Sequence, residues 1–158
     1  MILLPSTGYA LRALAVLPTD GSYKQAREVA EQLGIPGPFL SKVLKILAKG
    51  GFLTSMRGPQ GGYCLAKPAH RITVFDVIER MQGTGVLSGC IMGLSVCPWQ
   101  AQVCALVPVW NEIKDHLRQA TAAVTVQDLR RGGMDPGWIP VSRLRPGPRP
   151  GPTMDEEP

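Results

Sequence analysis

Apolar positions recur at helical spacing from the start of the chain. Tyr9, Leu11, Leu14 and Ala15 predict a first amphipathic helix over residues 6 to 17, stopping near Pro18. KQAREVAEQLG predicts a second, with Ala26, Val29, Ala30 and Leu33 on one face and Gly34 as its C-cap. After the tight connection IPG, the stretch PFLSKVLKILAKGG predicts a third. Pro38 suits its first turn, and Leu40, Val43, Leu44 and Leu47 form the buried stripe. Ser41, Lys42, Lys45 and Lys49 lie opposite, and Gly50 and Gly51 stop the helix. FLTSMRGPQGGYCLAKP then switches to strand, Gly/Pro turn and strand, with the hairpin tip near GPQGG. ITVFDVIERMQG is a short amphipathic helix with Val74, Val77, Ile78 and Met81 inward and Thr73 as N-cap. A longer helix over about 104–123 carries Ala105, Leu106, Val109, Trp110, Ile113 and Leu117, a wide apolar face for so small a chain.

These elements predict a mainly α fold with a small β wing: a winged helix-turn-helix domain at 1–83, a cysteine loop at 84–104, and a dimerisation helix with its end at 105–131. Residues 132–158, with seven prolines and five glycines and no periodicity, read as a disordered tail. A DNA-binding module of this size commonly pairs to read two half-sites. The long helix is therefore expected to join a homodimer through Val109, Trp110, Ile113 and Leu117.

Charge sharpens the picture. Residues 1–71 hold nine Lys or Arg against three acids, a net of +6, while residues 72–158 hold eight against nine, a net of −1. A basic first half points to a polyanion, here double-stranded DNA. On the third helix, Pro38, Ser41, Lys42 and Lys45 are placed to meet base edges and phosphates. Arg57 and Gln60 on the wing can reach phosphate or the minor groove, and the glycine-rich tip can approach DNA closely. No apolar run reaches membrane-span length, and the apolar N-terminus lacks a basic flank. A cytoplasmic protein is expected. There is no phosphate loop, no nucleophile beside a base and no paired carboxylates, so neither an enzyme nor a small-molecule substrate is expected.

CIMGLSVCPWQAQVC holds Cys90, Cys97 and Cys104 with six residues in each gap. In a reducing compartment, clustered thiols favour metal or redox chemistry over structural disulfides. Their spacing leaves open an iron–sulfur cluster, a zinc site and redox-active or inert thiols. Cys64, in the second wing strand, reads as structural. His70 reads as a loop residue and His116 as a helix-surface residue. Trp99 could shield a cluster or anchor a core.

STGYALRAL, EVAEQLGIPGPFLSKVLKILAKGGFL, RGPQGGYCLAKP, ITVFDVIERMQG and the cysteine triplet followed by Trp110 together resemble the Rrf-two family of winged-helix transcription regulators, which includes IscR-like and NsrR-like sensors. The resemblance covers about residues 1–131. It implies that Cys90, Cys97 and Cys104 hold an iron–sulfur cluster, of 4Fe–4S or 2Fe–2S type. Promoter binding, more often repressive, would respond through it to iron, redox state or nitric oxide. Two departures stand out. IscR-like sequences carry a histidine where this chain has Val107. Other members place an acid near the N-terminus, where this chain has Gly8 and, one turn later, Arg12. The fourth cluster position is therefore expected to differ. Alternatives are a cluster-free, thiol- or zinc-dependent regulator of the same family and, from another class, a small iron–sulfur electron carrier.

Overall fold

The computed structural model describes residues 4–87, 89–90 and 104–132. Helix α1 (Pro5–Val16) opens with a proline, whose fixed φ suits the first turn and whose missing N–H needs no partner there. It buries Ala10, Ala13, Leu14 and the following Leu17. Its small residues let four other helices approach. Helices α2 (Ala26–Leu33), α3 (Gly37–Lys49), α4 (Val74–Gln82) and α6 (Val126–Arg131) all pack on it. The core fills between them with Val29, Leu40, Leu44, Leu47, Ile72, Val77 and Val126, each essentially inaccessible to water or nearly so.

Strands β1 (Leu53–Met56) and β2 (Gly62–Leu65) form one antiparallel hairpin, paired Leu53 with Leu65, Thr54 with Cys64, Ser55 with Tyr63 and Met56 with Gly62. β1 buries only Leu53 and β2 buries Cys64, so the hairpin is pinned at its base and projects its tip. The segment before α2 adds a partial third strand. Lys24 N donates to the Tyr63 carbonyl at 3.1 Å and Tyr63 N to the Lys24 carbonyl at 2.9 Å.

α4 is capped as its sequence predicts. The Thr73 hydroxyl accepts from Asp76 N at 3.0 Å, and Asp76 Oδ2 accepts from Thr73 N at 2.9 Å. Helix α5 (Leu106–Ala123) packs on α4 and buries none of its own residues. Among the described residues, no helix is long and apolar enough to cross a membrane.

The span 105–131, expected as the dimerisation helix and its end, holds two helices. After α5 the chain turns at Val124 and α6 returns to the winged-helix unit. Val74 N donates to the Val124 carbonyl and Val126 N to the Ile72 carbonyl, both at 2.8 Å, and Val126 enters the core. The turn into α6 is closed by another capping box: the Thr125 hydroxyl accepts from Asp128 N at 3.3 Å, and Asp128 Oδ2 accepts from the Thr125 backbone N–H at 2.9 Å and from its hydroxyl at 2.6 Å. These bonds hold the Asp128 carboxyl below the usual carboxylate range. The disordered tail expected from residue 132 onward lies, from residue 133, outside the described residues.

Val126 therefore stabilises the winged-helix unit although it follows the long helix. Val126→Ala is expected to lower unfolding stability by about 2 kcal/mol, the loss of two buried methylene equivalents plus a small cavity. Val124→Ala, at an exposed site, should stay within about 0.5 kcal/mol. Urea melts followed by circular dichroism compare the two. Equal losses would show that α6 is not part of the core.

Candidate nucleic-acid interface and cysteine loop

The interface is built from the turn between α2 and α3. Gly34 takes the left-handed conformation, φ 62°, that ends α2. Ile35 N then donates back to the Ala30 carbonyl at 3.0 Å, and the Ile35 side chain is buried. This closed turn sets the crossing of the two helices. The Arg12 guanidinium, reaching from α1, donates to the Leu33 carbonyl at 2.7 Å and fixes the end of α2. Arg12 is thus committed inside the fold.

Burying Leu40, Val43, Leu44 and Leu47 turns the opposite side of α3 outward. Pro38, Lys42, Lys45 and Lys49 are exposed there, as the sequence predicts. Ser41 is half-buried and faces a groove of about 360 Å³ between α2 and α3, which Arg27 and Glu31 also line. Arg27 Nε and Glu31 Oε1 pair at 2.8 Å, which raises the guanidinium pKa further; both side chains are largely exposed, so the pair adds little stability. From behind, Arg80 of α4 donates to the Ile46 carbonyl at 3.0 Å. A Cβ at Gly50 would meet Arg80 Nε at 2.6 Å, so this glycine makes room for that arginine as well as ending the helix.

The wing stands beside α3 with Arg57 and Gln60 exposed near its tip. Gln25 Nε2, from the start of α2, donates to the Pro59 carbonyl at 2.8 Å and ties the tip to the helix-turn-helix. The tip glycines have work within the chain. A Cβ at Gly61 would lie 2.2 Å from the Met56 carbonyl oxygen, and one at Gly62 would lie 2.3 Å from that of Lys24. Their small size therefore serves packing of the hairpin on its own chain. Gly58, φ 115° with open space around it, is a turn glycine.

Of the cysteine triplet, Cys90 and Cys104 are free, half-buried thiols, while Cys97 and Trp99 lie outside the described residues. Cys104 lies two residues before α5, its carbonyl accepting from Val107 N at 3.1 Å. Trp110 Nε1 donates to the Gly89 carbonyl at 2.7 Å. The segment that carries Cys90 is thereby fastened to the second turn of α5. That bond was not predicted; a tryptophan six residues after a cysteine carries no sequence signal for it. Further along, Arg118 lies over the Phe75 ring of α4 at 5.9 Å. Gly8 of α1 is exposed and Val107 is half-buried.

Cys64 is buried in β2, away from the loop in sequence. The Tyr23 hydroxyl bonds to it, and this contact, with burial, raises the phenol pKa. His70 is exposed on the single-turn 3-10 helix Ala69–Arg71, and His116 Nδ1 stands 3.3 Å from the Glu112 carbonyl one turn earlier. On α5, Leu106 is 46% exposed, Val109 53% and Ile113 41%, while Trp110 and Leu117 are half-buried. All five lie on one side of the helix by their spacing, and two of the four predicted dimer residues, Val109 and Ile113, are open to solvent.

Comparison with known proteins fits this arrangement. The Rrf2 family, described as iron-dependent transcriptional regulator, matches residues 5–132. A helix-turn-helix-type transcriptional regulator of Aquifex aeolicus is 34% identical over 131 residues, 82% of this chain and 91% of that protein. In fold, the chain is similar to CymR (YrzC), the global cysteine regulator of B. subtilis, with a TM-score of 0.69 at 21% identity, over 83% of this chain and 97% of that one. It is likewise similar to T. potens IscR, with a TM-score of 0.66 at 22% identity, over 92% and 93%. The relatives are regulators and not enzymes. With a winged helix-turn-helix fold, a matching family profile over most of its length and such relatives, the chain belongs to the Rrf2 family of transcriptional regulators.

Proposed function

We infer that this regulator works as a cytoplasmic homodimer that grips promoter DNA with α3 and the wing, and that an iron–sulfur cluster on Cys90, Cys97 and Cys104 gates that grip. Repression is the output this reading favours. The observation that carries it is a continuous mechanical path. Trp110 fastens the Cys90 segment to α5, α5 packs on α4, and α4 packs on α1 and α3. Whatever changes the cysteine loop acts on the helix that presents Lys42 and Lys45.

The donor set suits such a group. Two free, half-buried thiols flank the loop, the third lies between them in sequence, and thiolates are the usual ligands of iron–sulfur clusters. Bound there, the cluster would supply redox- and ligand-sensitive iron. Val107 and Gly8 offer no fourth donor, so a cluster held by the three thiols would leave its fourth position to a small molecule, to another residue or to nothing, and would be the more labile for it. The chain's own residues do the rest. Lys42 and Lys45 neutralise phosphates or donate to guanine, Ser41 and Pro38 stand at the helix start nearest the base edges, and Arg57 and Gln60 reach the flanking backbone. The uncovered strip of Leu106, Val109 and Ile113 pairs with its copy in a second chain, with Trp110 and Leu117 at its margin. An 18-residue helix with no buried side chain gains little stability from its own domain. The division into a winged-helix unit, a cysteine loop and a dimer helix follows, with α6 belonging to the first.

A second reading has a specific support. Val107 and Gly8 remove the family's usual fourth donors, and a cluster-free regulator switched by its thiols would not need one.

Iron and sulfide content decides between these readings. Protein purified without oxygen should be coloured and contain iron and acid-labile sulfide, and Cys97→Ala should lose both. A colourless, iron-free wild type would establish the thiol reading, and stoichiometric zinc would establish a metal site of another kind. In gel shifts on promoter fragments, Lys42→Glu with Lys45→Glu should abolish binding while iron content stays unchanged, and wild-type affinity should fall steeply as salt rises. Binding that survives the charge reversal would mean α3 is not the recognition helix. Ile113→Glu should convert the dimer to a monomer by light scattering and weaken operator binding by more than about tenfold, since one half-site is lost. A dimer that persists would remove α5 from the interface.

A further inference from the structure

The first turn of α3 presents one side chain that neither the core nor the row of lysines explains. Phe39 is 41% exposed although it sits between the exposed Pro38 and the buried Leu40. Its ring meets Tyr9 of α1 edge to face, centroids 5.3 Å apart and planes at 82°. Tyr9 is half-buried and packed against the core, so it holds the phenyl ring from behind and leaves its outer side uncovered. Along the exposed side of α3 stand Lys42, Lys45 and Lys49, and on its other flank the half-buried Ser41.

Those neighbours limit what α3 can read. Ammonium groups neutralise phosphate or donate to guanine, and a serine hydroxyl bonds to many base edges. None of them recognises the one apolar feature of the major groove, the C5-methyl of thymine. A fixed aromatic ring in the first helical turn does, because the N-terminal residues of a recognition helix are those that meet base edges. Ile46, the other exposed apolar residue of α3, stands two turns further on, where Arg80 crosses to its carbonyl. Accordingly, resting on the assignment of α3 as the recognition helix, we propose that Phe39, propped by Tyr9, packs on a thymine methyl in each half-site and selects T·A at that position. Lys42 and Lys45 supply affinity, and Phe39 supplies discrimination.

Deoxyuridine tests this, since it removes the methyl and nothing else. The full-length protein is first given an operator by selection from random duplexes, and each thymine of that operator is then replaced by deoxyuridine in turn. At one thymine per half-site, uracil should weaken wild-type binding about 4-fold, the worth of one buried methyl group. Phe39→Ala should bind the thymine operator about as weakly as wild type binds the uracil one, and should lose nothing more on uracil. Phe39→Leu, which keeps an apolar contact and a fold-compatible volume, should retain part of the preference and serves if the alanine variant unfolds. Uracil tolerated at every position, or a uracil penalty undiminished in both variants, overturns the proposal. So does a change of oligomeric state in Phe39→Leu without a change in thymine response, which would place a second copy of the chain on the ring. Failure of the underlying assignment looks different: no duplex is selected, or binding ignores charge reversal at Lys42 and Lys45.

Discussion

Three arginines, each on one helix and each bonded to a carbonyl at or near the end of another, hold this fold in register. Arg12 of α1 donates to Leu33 at the end of α2, Arg80 of α4 to Ile46 in the last turn of α3, and Arg130 of α6 to Leu17 just past α1, at 2.7, 3.0 and 2.7 Å. The last carbonyls of a helix have no partner within it and carry its partial negative charge. At Leu33 and Leu17 a guanidinium meets both needs where water is partly excluded, and such a bond contributes about 1.5–3 kcal/mol; the Ile46 carbonyl also accepts from Gly50 N at 3.1 Å, and the exposed bond from Arg80 contributes less. Greasy packing alone lets short helices slide, because apolar contact has no direction. These bonds have direction, and the face that α3 turns outward depends on it.

They also change how the charge of the first half should be read. A net of +6 over residues 1–71 is a sum over positions that do different things. Arg12 points inward to α2, and Arg27 is matched by Glu31. Lys42, Lys45, Lys49 and Arg57 remain outward on α3 and the wing. Lys67 and Arg71 are exposed as well, but they lie beyond the hairpin, so the charge that α3 and the wing present is smaller than the total. A basic surface spread evenly would bind polyanions without orienting them.

Most of this was legible where a local rule decides. Helical spacing located α1 to α5, Gly34 and Thr73 acted as the caps their types predict, and the hairpin followed from a Gly/Pro turn between two short apolar runs. What was not legible depends on contacts distant in sequence. Nothing around Val126 says that it enters a core built by α1 and the 3-10 turn, because six residues are too few for a periodicity. Gly61 and Gly62 looked like a tip open to DNA, yet their need for small size comes from Met56 and Lys24. Phe39 falls on the flank of α3, between the stripe and the lysines, and spacing alone cannot say whether a flank is covered. Only the placement of Tyr9 shows that it is supported from one side and bare on the other.

The return of α6 bears on how a signal in the cysteine loop could travel. α5 is held at both ends: by Trp110 on Gly89 near its start, and after its end by the pairing of residues 124–126 with residues 72–74 ahead of α4. A free-ended helix could swing without disturbing the domain it leaves. A helix fastened twice moves α4 when it moves, and α4 holds α3 through Arg80. Under the proposed gating, the same two anchors would resist displacement, so a change in the loop would have to favour one dimer geometry over another by more than it strains them. A few kcal/mol of difference is enough to shift a two-state population almost completely. A sensor built this way needs no large rearrangement, only two nearly balanced placements of α5 and a ligand that prefers one.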